Sequence, residues 1–397
     1  MKMNRILNLC FCVLSAAVIS GCSLSDNSGT KSGLYGTESE TEFRNPNLCP
    51  GSKLKEKWMD DATGNIKISG YTIGKTSEVV IIPFSSYYYL DMIDDSSYCD
   101  YIENFYIGTD FLYGGVFYKG RKVRLDAFAM GQYPVTQDFY LKVMGLIDKQ
   151  NPSMNNSNPP QGEVQKNRPI NYVTWYHACA FCNELTRNTM SPNECIYYSD
   201  PELNHIYTIA DAGLKKKVYP AYNYERKLWA KSGYRLPTEA EWEFAARSAD
   251  AEKPEWRYAY PVMQTSQKSL DVYLRQKENG LEKFAWYTGC VNQNLHEAGL
   301  LTPNKINLFD MCGNVNEWCY DAYDYLPSNF EENDKKFLEK GIVKNPTCFA
   351  EADSYRCVRG GGYSDYCKQC MVSSRDGRKP DFMGNVGFRV CRSTVSY

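Results

Sequence analysis

The side chains of this sequence most able to do chemistry are its thiols. There are sixteen cysteines against only three histidines, His177, His205 and His296, which stand in separate segments. That ratio works against zinc catalysis and against Ser-His or Cys-His hydrolysis. Zinc sites pair Cys and His at fixed spacings, and both hydrolase arrangements need a histidine oriented by a third group. No phosphate-binding or dinucleotide glycine pattern is present either, since Gly360-Gly361-Gly362 sits at a strand before a loop rather than between strand and helix. Cys179 and Cys182 share one face of an amphipathic run from Trp175 to Leu185, a spacing open to redox work or to plain core packing. No thioredoxin-like strand and helix surround them, which favours packing. Glu239, Glu241 and Glu243 could form a carboxylate cluster, with a capped helix as the competing explanation.

The elements that must position these groups are legible in part. Thr238 followed by Glu241 is a capping box behind Pro237, which predicts a helix starting at residue 239 with Trp242, Ala245 and Ala246 on its packing face. Glu243 and Arg247, four apart, are expected to pair on its surface. Thr136 caps a second helix after the strand-like Val123 to Phe128, and the Cys179 helix is the third. Ile66-Lys67-Ile68 and Val79-Val80-Ile81-Ile82 read as strands. Residues 191–231 and 252–284 read as surface insertions. The composition is that of a globular protein, 43% hydrophobic and 23% charged with net charge −2, which gives no reason to expect nucleic acid. The 32 tyrosines, many of them in loop-like stretches, suit an exposed recognition surface.

The chain's start points to a compartment. Lys2 and Arg5 precede an apolar run from Ile6 to Val18 that is too short for a stable span, and Ile19-Ser20-Gly21-Cys22 reads as a lipobox. Residues 1–21 are then a lipoprotein signal peptide, 22–47 a polar tether, 48–98 a small N-terminal β extension and 99–397 the main domain. Acyl chains on Cys22, at about 0.8 kcal/mol per buried methylene, would anchor the protein without a membrane helix. Ser23 lacks the aspartate retention signal of some bacteria, which favours the outer membrane and the cell surface. Thirteen cysteines remain once Cys10, Cys12 and Cys22 are set aside, so at least one thiol has no intramolecular partner.

Several motifs resemble one family. Arg235-Leu236-Pro237-Thr238-Glu239-Ala240-Glu241-Trp242-Glu243, Gly313-Asn314-Val315-Asn316-Glu317-Trp318, Val358-Arg359-Gly360-Gly361-Gly362-Tyr363 and Gly387-Phe388-Arg389-Val390-Cys391 are similar to those of the formylglycine-generating enzyme (sulfatase-modifying factor) family. Asn104-Phe105-Tyr106-Ile107-Gly108 resembles its opening strand. The resemblance implies an α+β, C-type-lectin-like domain with much irregular structure. It also implies a structural calcium site on Asp310, the backbone oxygens of Gly313 and Val315, and Glu317. Carboxylates plus carbonyls suit a hard cation, and a turn whose carboxylates accept backbone amides is the alternative.

The family's oxidase chemistry uses two C-terminal cysteines that hold copper as thiolates and oxidise a substrate cysteine. Cys367 matches the second of these, eight residues before Arg375, but Ser364 or Asp365 lies where the first should be. Asn316 replaces a family tryptophan and Gly362 a serine. A two-thiolate site cannot survive the loss of one sulfur, so no catalytic residue is assigned. The C-terminal loop instead resembles the variable proteins of diversity-generating retroelements, including treponemal lipoproteins. This implies ligand contacts at Tyr363, Ser364, Asp365, Tyr366, Gly377, Arg378, Phe382, Met383 and Gly384. The expectation is a surface-anchored lipoprotein that binds a protein on host or neighbouring cells. The alternatives are a diverged oxidase acting on a substrate cysteine in sulfatases through Cys367, and a structural envelope lipoprotein.

Overall fold

The computed structural model describes residues 79–82, 88–89, 116, 122–146, 148–155, 158–249, 260–261, 280–290, 293–323, 342–349 and 354–393. The lipobox with Cys22, the tether, the strand at 66–68 and the opening strand at 104–108 lie outside these residues. No helix among the described residues is long and apolar enough to cross a membrane.

Four helices start where threonines cap them. The Thr136 hydroxyl accepts from the Phe139 amide ahead of α1 (Gln137–Val143), and Thr174 accepts from the His177 amide at 3.1 Å ahead of α2 (Trp175–Thr189). A short α3 (Ile209–Gly213) carries its own box from Thr208 and Asp211. The box expected at Thr238 is complete: its hydroxyl accepts from the Glu241 amide at 3.2 Å, and the Glu241 carboxylate accepts from the Thr238 amide at 2.8 Å, opening α4 (Glu239–Ala246). Each such cap contributes about 1 kcal/mol and fixes the register of its helix.

The strands are short. In chain order they are β1 (Val79–Ile82), β2 (Tyr88–Tyr89), β3 (Lys122–Arg124), β4 (Phe128–Gly131), β5 (Tyr197–Tyr198), β6 (Tyr219–Pro220), β7 (Tyr222–Asn223), β8 (Leu228–Trp229), β9 (Tyr234–Arg235), β10 (Asn316–Ala322), β11 (Ile342–Lys344), β12 (Arg356–Arg359), β13 (Asp376–Arg378), β14 (Val386–Gly387) and β15 (Cys391–Ser393). One sheet runs β1-β4-β15-β9 and is antiparallel throughout. The second runs β13-β12-β10-β14, with only the β10–β14 pair parallel. Smaller ladders join β11-β3-β2, β5-β6 and β7-β8. The N-terminal strand β1 therefore belongs to the main sheet.

The core is aromatic. Trp175, Trp242 and Trp318 are fully buried, and two of them cross-link helix and sheet: the Trp175 indole donates to the Cys319 carbonyl and the Trp318 indole to the Val173 carbonyl, both at 2.9 Å. A buried indole needs such an acceptor to avoid an unmet donor. Cys179 and Cys182 pack in this core, and burial pushes both thiols up, as expected of packing cysteines. Two expectations are corrected. Residues 191–231 are no surface insertion, since Cys195, Ile196, Tyr197 and Tyr207 are fully buried and Tyr197 stacks on Tyr320 at 5.8 Å. Glu243 and Arg247 do pair, but wholly inside the protein.

Candidate ligand-binding surface

The C-terminal loop leaves β12 at Arg359 and returns at β14. Its start and its midpoint are anchored by charges that burial makes costly to unpair. Arg359 donates to Glu239 at 3.0 Å and to Glu243 at 2.7 Å, and Arg375 grips the two oxygens of Glu239 at 2.5 and 2.7 Å. The two guanidiniums hold the Glu239 carboxyl down to about 2 against the opposing effect of its burial. Glu241 pairs with Arg235 through two 2.7 Å bonds. All three glutamates of the motif are thus structural, and the sequence offers no local sign of partners more than a hundred residues away.

Between these anchors the chain turns sharply. Gly361 has φ +68° and lies against Cys370, whose sulfur would be 2.8 Å from an added Cβ. Tyr363 then projects from a backbone whose amide donates to the Asn314 carbonyl at 2.9 Å. Asp365 folds back: its carboxylate accepts from the Gly362 amide at 2.9 Å and from the Asn316 side chain at 2.7 Å, while its carbonyl accepts from the Thr288 amide. A 3-10 turn over Cys367–Cys370 follows. The return limb is pinned by the Trp175 amide on the Pro380 carbonyl and the Tyr172 amide on the Gly384 carbonyl, at 2.9 and 2.8 Å.

The expected contact residues divide accordingly. Ser364 is exposed, as are Tyr366 (45%), Phe382 (37%) and Met383 (59%), which are among the few large apolar side chains left in solvent. Tyr363 and Arg378 are half-buried. The Arg378 guanidinium pairs with Asp376 at 2.6 Å and lies 5.6 Å from the centre of the Phe382 ring, a cation over an aromatic face. The remaining three also serve the frame of the loop. Gly377 is buried, with the Tyr323 ring 2.4 Å from where a Cβ would stand. Asp365 is used internally, and Gly384 supplies a carbonyl to Tyr172.

The calcium expectation meets a poor donor set. Both Glu317 oxygens are bound by Arg389 at 2.7 Å, and one also accepts from the Trp242 indole. Asp310 accepts from the Gly299 amide at 2.7 Å, and its burial pushes the carboxyl up to about 6. The Gly313 carbonyl accepts from the Val315 amide. A carboxylate whose two oxygens are already taken by a guanidinium does not suit a divalent cation. Among the described residues, no group of three His, Cys, Asp or Glu side chains is placed to hold a metal ion.

Helices capped around two short sheets, with a long C-terminal loop held by buried arginines, define an α+β domain of the C-type-lectin-like kind. The chain belongs to the sulfatase-modifying factor enzyme 1-like domain family, whose model matches residues 104–394. It is 27% identical over 225 residues to the chaperone protein LppX of Paenibacillus barcinonensis, covering 52% of this chain and 67% of that one. It is 31% identical over 183 residues to the formylglycine-generating enzyme of Streptomyces coelicolor, covering 41% of this chain and 46% of the enzyme, so the match spans less than half of that relative. Among solved structures, Treponema denticola variable protein 1 is similar at 28% identity and a TM-score of 0.50, covering 69% of this chain and 87% of that one.

Proposed function

We propose that this protein is a lipid-anchored envelope protein that binds a protein ligand through a diversified C-terminal loop, without turnover. The observation that carries the reading is the hydrogen bond from Asn316 to Asp365. Where the family's enzymes need the first thiolate this chain has Ser364 or Asp365, the Asp365 carboxylate is already held by an amide, and the Tyr366 side chain beside it faces solvent. Large stiff side chains such as Tyr366 and Phe382, with Met383 as an adaptable neighbour, bury much area at little entropic cost when they dock. Their frame is rigid, so ligand choice can change by substitution without refolding. The likeness to a treponemal variable protein supports the same reading. Anchoring through Cys22 rests on the lipobox and on the short apolar run before it. A protein ligand is favoured over a sugar because the sequence holds no sugar-specific calcium motif.

The experiment is deep sequencing of the codons from Arg359 to Cys391 across one culture lineage and related strains. Substitutions concentrated at Tyr363, Ser364, Tyr366, Arg378, Phe382 and Met383 support diversification, whereas a uniform sequence sinks it. One observation favours the oxidase alternative: Cys367 keeps the family's spacing from Arg375. Its side chain is 1% exposed, however, and a reactive thiol needs access. Copper binding by the purified protein that disappears in Cys367→Ser would favour this second reading.

A further inference from the structure

Four cysteines meet beneath the C-terminal loop. Cys312, Cys367 and Cys370 lie in one buried cluster with Tyr260, Tyr287 and Met371, and the half-buried Cys290 packs against it. Two of them are in contact. The Cys312 thiol donates to the Cys370 carbonyl at 2.6 Å, and the two side chains also interact directly. Neither has room to turn away. Cys312 belongs to a tight turn in which Asp310, Gly313 and Asn314 all have positive φ. Cys370 closes the 3-10 turn and is backed by Gly361, where any side chain would strike its sulfur.

From this geometry we infer that Cys312 and Cys370 form a disulfide when the chain folds in an oxidising environment, tying the base of the C-terminal loop covalently to the turn before β10. The inference rests on the proposed envelope location, because disulfides persist there and not in a reducing cytosol. The reaction is thiol–disulfide exchange. The thiolate of one cysteine attacks a disulfide-bearing oxidant and forms a mixed disulfide. The second thiolate then displaces the oxidant's remaining sulfur. Two S–H bonds are lost and one S–S bond is made, and the two electrons and two protons leave on the oxidant as two thiols. The contact with Cys312 and, after it, burial push the Cys370 thiol up and keep it protonated in the native state, so exchange takes place while the loop is still closing. The bond would hold the floor of the loop fixed whatever side chains its exposed positions carry.

The test is disulfide mapping of the full mature chain, prepared both from cell envelopes and by refolding from denaturant in a glutathione redox buffer. Thiols are blocked, the protein is digested without reduction, and cross-linked peptides are sought by mass spectrometry. A Cys312–Cys370 peptide pair in the refolded protein supports the inference. Reduction should then lower Tm by several degrees, an effect absent from the Cys312→Ser/Cys370→Ser double variant. Cooperatively melting refolded protein with both cysteines blocked as thiols, or with Cys370 joined to Cys367, overturns it. If the pair forms on refolding but protein from cells carries both thiols reduced, the pairing stands and the envelope location falls.

Discussion

The side-chain amide of Asn316 donates to the carboxylate of Asp365 at 2.7 Å, and the same carboxylate accepts from the Gly362 amide at 2.9 Å. One carboxylate thus ties the loop to the first residue of β10. Removing the acceptor alone leaves the Asn316 amide and the Gly362 N–H without a partner. Asp365→Ala is therefore expected to cost about 1 kcal/mol, read as a lower urea midpoint, and to weaken ligand capture. Asp365→Asn, which keeps one acceptor oxygen, should lose less.

Truncating Tyr366, Phe382 and Met383 together to alanine should abolish ligand binding while leaving Tm within a few degrees. Exposed substitutions cost less than about 0.5 kcal/mol each. Surface plasmon resonance against a captured ligand, run beside a thermal melt, separates the two effects. A collapse of the melt would make these side chains core residues.

Gly377→Ala is expected to destabilise by about 1–3 kcal/mol, since its Cβ must displace the Tyr323 ring. Ser364→Ala, on the exposed limb, should be neutral in the same denaturation assay. Among natural variants Gly377 should accordingly stay constant, and finding it freely substituted would refute its role in the frame.

A pH dependence follows from Asp310, whose carboxyl is pushed up to about 6 by burial against about 3.9 in an unfolded chain. The folded state binds this proton more tightly. Its contribution to stability is therefore full below about pH 4 and lost as pH rises through about 6. Comparing wild type with Asp310→Asn by urea midpoints at pH 4 and pH 7, the wild-type advantage should shrink by something on the order of 2 kcal/mol. An unchanged difference would mean that the carboxyl titrates normally.

Calcium at millimolar concentration should leave Tm unchanged, because a cation at Glu317 would have to displace Arg389 from both carboxylate oxygens. A saturable upward shift in a thermal melt, lost in Asp310→Asn, would restore the calcium site.

What the sequence revealed follows the range of each interaction. The caps at Thr136 and Thr238 were readable because their partners stand three residues away, and the Trp175 helix because its apolar face repeats along it. The ion pairs of Glu239 are not legible, since its partners Arg359 and Arg375 lie more than a hundred residues on and charged residues are ordinarily exposed. The same habit placed the Glu243–Arg247 pair on the surface. Residues 191–231 were misjudged because their buried tyrosines follow no helical or strand period. In the loop, residue type pointed to Tyr366 and Phe382 as contacts, but only the fold separates them from Gly377 and Asp365.

The position of β15 bears on how such a loop could be rewritten at all. This last strand pairs with β4 on one side and β9 on the other, and just before it Arg389 collects the carboxylate of Glu317 and the carbonyls of Gly131, Gln132 and Phe309. The domain therefore cannot close until the reading frame has passed intact through every loop codon. A frameshift or stop among the loop codons would remove the centre of the sheet and leave an unfolded chain for proteolysis. Folding itself would act as the proofreader, and only in-frame sequences would be displayed.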